Sequence, residues 1–135
     1  MNQFFASTGF IINGVLHLSP KEVLKECEQG AILIDIRRET EYAYKKFNVQ
    51  NIYYLKSDYI KEHYAELPKD RPLIIADQAG VHSKEIVMFL ESRGFENVAN
   101  LIGGIFEWDK SGLPLRVDNR EMLSGSCLCV LRKKK

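Results

Sequence analysis

Ile74-Ile75-Ala76-Asp77-Gln78-Ala79-Gly80-Val81-His82-Ser83-Lys84-Glu85 reads as a strand, a tight loop and a helix in immediate succession. Leu73 to Ala76 is apolar throughout, as in a strand buried on both faces. Gly80 lies in the short loop, and Ser83 is expected to cap an amphipathic helix carrying Ile86, Val87, Phe89 and Leu90 and closed by Arg93-Gly94. A strand that delivers a short loop onto a helix N-terminus aims several free N–H groups and the positive helix end at one point. Such a point stabilises an anion or a thiolate, and a cysteine placed there becomes a nucleophile. The residue at the loop entrance is Asp77, and none of residues 74–85 is a cysteine.

The flanking sequence repeats the alternation of strand and helix. Ser19-Pro20-Lys21-Glu22 is a capping box with Pro at the first helical position, and the helix it opens ends at Gln29 before Gly30. Residues 31–36 form an apolar strand, 39–44 a short helix, 51–55 a strand, and Ser57-Asp58 caps a helix reaching Tyr64. A turn over 67–72 precedes the strand into the loop. Beyond the loop helix come a strand over 98–102, the Gly103-Gly104 turn and a last helix around Trp108, ended by Gly112 and Pro114. This order predicts an α/β domain with a mainly parallel central sheet and helices on both faces. Ligands of such sheets bind where strand C-terminal ends meet helix N-termini, which places the site at 77–83.

The totals suit one soluble domain: 135 residues, 45% hydrophobic and 27% charged. Lys plus Arg is 19 against 18 for Asp plus Glu, so no global field draws in nucleic acid. No apolar run approaches the ~18 residues of a membrane span, so neither nucleic acid nor membrane is an expected partner. The start lacks a basic residue ahead of its apolar stretch, which argues against a cleaved signal peptide. Three unevenly spaced cysteines do not make a disulfide framework, and a reducing, cytoplasmic setting is expected. Cys27 falls on the apolar face of its helix with Val23 and Leu24 and is assigned to the core. The domain is expected over 15–115, with an N-terminal extension over 1–14. A loosely packed C-terminal extension from 116 carries Cys127-Leu128-Cys129 and the basic end Arg132-Lys133-Lys134-Lys135.

Several of these fragments together resemble a single rhodanese (sulfurtransferase) domain. Leu33-Ile34-Asp35-Ile36-Arg37 followed by Glu41-Tyr42 is similar to the family's first signature. Gly94-Phe95-Glu96-Asn97-Val98, then Leu101-Ile102-Gly103-Gly104-Ile105-Phe106-Glu107-Trp108 and Gly112-Leu113-Pro114, resembles its C-terminal signature. The resemblance implies a persulfide-carrying cysteine three residues before Gly80, where this chain has Asp77. A loop one residue longer, as in related phosphatases, would put the nucleophile at Ala76. The Arg that usually closes the loop is His82, Gln78 and Val81 replace other polar positions, and Lys45-Lys46 stands for an expected Gly-His. Arg37 is expected to pair with Asp35 or Glu41.

A carboxylate cannot carry sulfane sulfur, which needs a polarizable thiolate that attacks, holds and leaves. Asp77 is instead expected to accept the N–H groups of its own loop, Gln78, Ala79, Gly80, Val81, His82 and Ser83, and so to fill the anion site. An aspartyl phosphate there would need metal or phosphate partners that the sequence does not offer. The expectation is a non-catalytic binding or regulatory module whose partner is a protein or a small anion at the loop, with no cofactor and no resident metal. A sulfurtransferase or sulfur carrier using Cys127 and Cys129, or a thiol-based metal-binding protein, is the alternative. Extended, the two thiols share one face, though two ligands do not complete a structural zinc site. His82 is expected to be a surface residue at the helix start, and His17 and His63 to have no part in the site.

Overall fold

The computed structural model describes Phe5 and residues 9–117. Its centre is a six-stranded sheet built from β1 (Phe10–Ile12), β2 (Val15–Leu18), β3 (Ile32–Asp35), β5 (Ile52–Tyr54), β6 (Leu73–Ala76) and β7 (Val98–Leu101). The spatial order is β1-β2-β7-β6-β3-β5; β1 and β2 are antiparallel and every other neighbouring pair is parallel. Side chains alternate across the pleat, so each central strand feeds two cores. Leu33, Ile74, Ala76, Ala99 and Leu101 face Val23 and Cys27 of α1 (Pro20–Glu28) and Ile105 and Trp108 of α5 (Gly104–Lys110). Ile32, Ile34, Leu73, Ile75 and Val98 face Ile60 of α3 (Ser57–His63) and Ile86, Val87 and Leu90 of α4 (His82–Ser92).

Local chemistry explains the ends. The Glu22 amide donates to Ser19 Oγ at 3.3 Å and the Ser19 amide to Glu22 Oε1 at 2.9 Å, so the capping box forms as expected. Trp108 is fully buried, its ring edge against Phe47, and its Nε1 donates to Pro114 O at 2.8 Å, which turns the chain back after α5.

Four expectations need correction. Residues 10–12, assigned to an N-terminal extension, form the edge strand of the sheet, and Phe5 is buried in the core that contains Leu18 and Trp108. The extension expected from 116 is not loose at its start: β8 (Leu115–Val117) pairs antiparallel with β4 (Lys45–Phe47), Phe47 opposite Leu115, which gives the backbone of both segments its ladder partners. The helix at 39–44 shortens to α2 (Glu39–Tyr42), because β4 must begin at Lys45. Ser57 and Asp58 do not cap α3; the N-cap is Lys56, without a side-chain bond, and a 3-10 turn, Tyr64–Glu66, follows the helix. Cys127, Cys129 and the basic end lie outside the described residues.

Candidate functional site

The loop between β6 and α4 sits at the C-terminal end of the central strands, between two helix N-termini. Its carbonyls and its amides are satisfied from different sides. Asp77 O accepts from Ile105 N at 3.0 Å and Gln78 O from Phe106 N at 3.1 Å, so the first turn of α5 holds the loop's outer carbonyls. That approach needs Gly104, at φ +59°, where an added Cβ would meet Asp77 O and the Gln78 carbonyl carbon at 2.5 Å each. Gly80, at φ +89°, faces the Gly103 amide almost as closely, its Cβ position 2.8 Å from that nitrogen. The two glycine turns are therefore a fitted pair.

The amides converge on Asp77. Its Oδ1 accepts from the Gly80 amide and, at 3.3 Å, from Ser83 Oγ; its Oδ2 accepts from the His82 amide at 2.9 Å and the Ser83 amide at 3.1 Å. The side chain lies inside the loop, with Asp77 only 7% exposed. Ser83 is thus not the cap that its sequence position suggests: α4 begins at His82, its N-cap Val81 makes no side-chain bond, and the carboxylate satisfies the first amides. Gln78, Ala79, Val81 and His82 are exposed, and His82 contributes its amide to the ring.

Behind the ring lies a second set of groups. Ser83 Oγ, fully buried, also donates to Asn100 Oδ1 on β7, and Asn100 Nδ2 lies 3.1 Å from His17 Nδ1 on β2 and 3.4 Å from Gly80 O. Because Asn100 Oδ1 receives the hydroxyl, Nδ2 is the donor toward His17, whose Nδ1 must accept. His17 was expected to play no part in the site. The fold brings it there from 83 residues away, since β2 and β7 are neighbours with His17 opposite Asn100. Burial, with the Lys84 charge adding to it, holds the His17 pKa below its ordinary value.

The Asp35 and Arg37 pair stands beside the loop, at the end of β3, whose Asp35 is in register with Ala76. Arg37 Nε and Nη2 clasp the carboxylate at 2.9 to 3.2 Å, and its amide donates to the same group at 3.0 Å. Nη2 also reaches Lys45 O at 2.8 Å and Nη1 reaches Glu41 O at 3.4 Å, so one guanidinium joins β3, α2 and β4. Of the two acids expected for Arg37, Asp35 is the partner; the Glu41 carboxylate accepts from the Arg38 amide instead. Lys45 Nζ meets Asp109 Oδ2 at 2.6 Å and ties β4 to α5. Among the described residues no cluster of three or more His, Cys, Asp or Glu could hold a metal ion, and no helix is long and apolar enough to cross a membrane.

Comparison with known proteins agrees with this architecture. A thiosulfate sulfurtransferase GlpE from Haemophilus influenzae (strain PittEE) is 31% identical over 102 residues, spanning 73% of this chain and 91% of that protein. Its counterpart from Actinobacillus pleuropneumoniae serotype 5b is 32% identical over 99 residues, 73% and 90% of the two chains. The crystal structure of a rhodanese-related protein from Thermoplasma volcanium superposes with a TM-score of 0.66 at 22% identity, covering 76% of this chain and 98% of that one. The profile of the Rhodanese-like domain matches residues 19–111, and the chain belongs to the rhodanese-like domain family.

Proposed function

We propose that this rhodanese-like domain binds or regulates a partner and does not transfer sulfur through its loop, because Asp77 occupies the place of a sulfur-carrying cysteine. The observation that carries the reading is the buried carboxylate accepting from Gly80, His82 and Ser83. A carboxylate has no polarizable sulfur with which to take up and release a sulfane atom. It also engages the amides that a small anion would need, which favours a protein partner over an anion. Such a partner meets the loop's outer rim, where Val81 is 57% and the neighbouring Phe106 58% exposed. We place this work in the cytoplasm, in keeping with three unevenly spaced cysteines that do not make a disulfide framework.

Thiosulfate and cyanide turnover by the full chain and by its Cys127→Ser, Cys129→Ser double variant tests the reading. Turnover at the level of a no-protein blank is expected for the double variant. Turnover well above blank in that variant overturns the proposal, since the loop would then be transferring sulfur without a cysteine. Activity in the parent chain that disappears in the double variant would mark the tail thiols as a displaced sulfur site. Stoichiometric zinc in the purified parent, lost in the double variant, would mark them as metal ligands.

A further inference from the structure

His17 Nε2 is, among the described residues, the buried side-chain nitrogen or oxygen left without a hydrogen-bond partner. The residue is 5% exposed, its ring stacks on Phe10 at 5.7 Å, and its other nitrogen is the end of the chain running through Asn100 and Ser83 to Asp77. We propose that His17 is a proton-operated latch on the Asp77 loop: protonation at Nδ1 reverses the Asn100 amide and directs the Ser83 hydroxyl wholly to Asp77. The inference rests on Asp77 being the acceptor within its loop, and does not require the loop to be catalytically silent.

In the neutral state the proton positions are forced. Asn100 Nδ2 donates to Nδ1, so the ring carries its proton on Nε2, and the single Ser83 proton is divided between Asn100 Oδ1 and Asp77 Oδ1. Adding a proton at Nδ1 sets an N–H against the Asn100 NH2 group at 3.1 Å, two donors with no acceptor between them. A half-turn of the amide removes the conflict at no change in volume. Asn100 Oδ1 then accepts from Nδ1, Nδ2 donates to Ser83 Oγ, and the hydroxyl keeps Asp77 as its acceptor. The same half-turn withdraws the Nδ2 donation from Gly80 O and puts two oxygens face to face, so the turn loosens at Gly80 as the bond to Asp77 strengthens.

Little around the ring competes with this. The strand β1 contributes the Phe10 ring, β7 the neutral Asn100, and α4 the Lys84 ammonium, which opposes protonation. Glu22 of α1 gives its carboxylate to the Ser19 and Gly9 amides. Burial and Lys84 both lower the His17 pKa, so the latch operates below about pH 6.5.

Isotope-labelled full-length His82→Gln protein, which lacks the other loop imidazole, is titrated from about pH 8 to about pH 4 by NMR. Above the transition the His17 ring should show the Nε2–H tautomer. Through it the Gly80, Val81 and Ser83 amides should shift with the ring's own midpoint, and that shift should be lost in His17→Gln. An Nδ1–H tautomer at high pH, a ring neutral throughout, or loop amides that stay still while the ring titrates would each overturn the latch. Should His17→Gln not fold, the match or mismatch of ring and amide midpoints decides. Sulfur transfer is not the readout, so failure of the latch and failure of the proposed function remain distinct.

Discussion

Asp77 is held by donors alone, and that makes its carboxylate distinguishable from its own amide. Asp77→Asn keeps the shape, yet whichever way the amide turns its NH2 faces the amide of Gly80, His82 or Ser83. The substitution should cost about 1–3 kcal/mol, read as a lower urea midpoint at unchanged m. Arg37→Ala should cost more, about 3–5 kcal/mol, because Asp35 is fully buried and would lose the partner that clasps it. A loss below about 1 kcal/mol in the same measurement would show that Asp35 does not depend on Arg37. Burial, with Glu26 and Glu28 beside it, pushes the Cys27 thiol up to about 12. Iodoacetamide at about pH 8 should therefore leave Cys27 unmodified in the folded protein and label it in urea, as peptide mass spectrometry will show. For Arg37 the family resemblance left Asp35 and Glu41 both open, whereas the Asp77 ring was legible because it is local in sequence. The link from His17 to Asn100 was not, since neither residue carries a sign of the other and only adjacency of β2 and β7 joins them.

The Gly103-Gly104 turn is as much a part of the site as the loop it supports. Gly104→Ala drives a Cβ into the backbone of Asp77 and Gln78, while Gly112, at φ +73°, has nothing within 4 Å of the same position. Gly112→Ala should cost the ~1 kcal/mol of a left-handed alanine, and Gly104→Ala clearly more, with denaturant unfolding of the two variants as the comparison. Equal losses would mean that α5 does not press on the loop. At this scale the strands of the parallel sheet were readable from residues such as Ile32 to Ile34 and Leu73 to Ala76, apolar on both faces. The two short antiparallel pairings, β1 with β2 and β4 with β8, were not. Strands of three residues give too little alternation to recognise, and Lys45-Lys46 reads as a charged surface. The Asn13-Gly14 dipeptide between Phe10-Ile11-Ile12 and Val15-Leu16 was the available signal for β1 and β2, and its left-handed φ values of 52° and 83° fit a tight hairpin turn. Ser83 misled because a serine near a helix start usually caps it, whereas here the cap arrives from the preceding loop.

Two cores on one sheet make the molecule a single cooperative unit, and its pH response gathers groups from both sides. His17 has a folded pKa below its unfolded 6.5, so the unfolded chain takes up that proton first. Its contribution is complete above that value and is lost as pH falls through the folded pKa. Glu26 and Glu91, raised by burial, act with the opposite sign: their contribution is present at low pH and lost as pH rises through their folded values. Between about pH 7.5 and pH 6 the histidine should dominate, so the urea midpoint should fall in the parent protein and remain flatter in His17→Gln. Parallel profiles would contradict this assignment. The anion ring closed by its own side chain is tested most directly with sulfate, by comparing the Tm of the parent protein and Asp77→Ala in sodium sulfate and in sodium chloride of matched ionic strength. General exclusion of sulfate raises both. With the Gly80, His82 and Ser83 amides freed, Asp77→Ala should gain an additional, saturable increase that the parent lacks. Equal increments in the two proteins would contradict the claim that Asp77 fills an anion site.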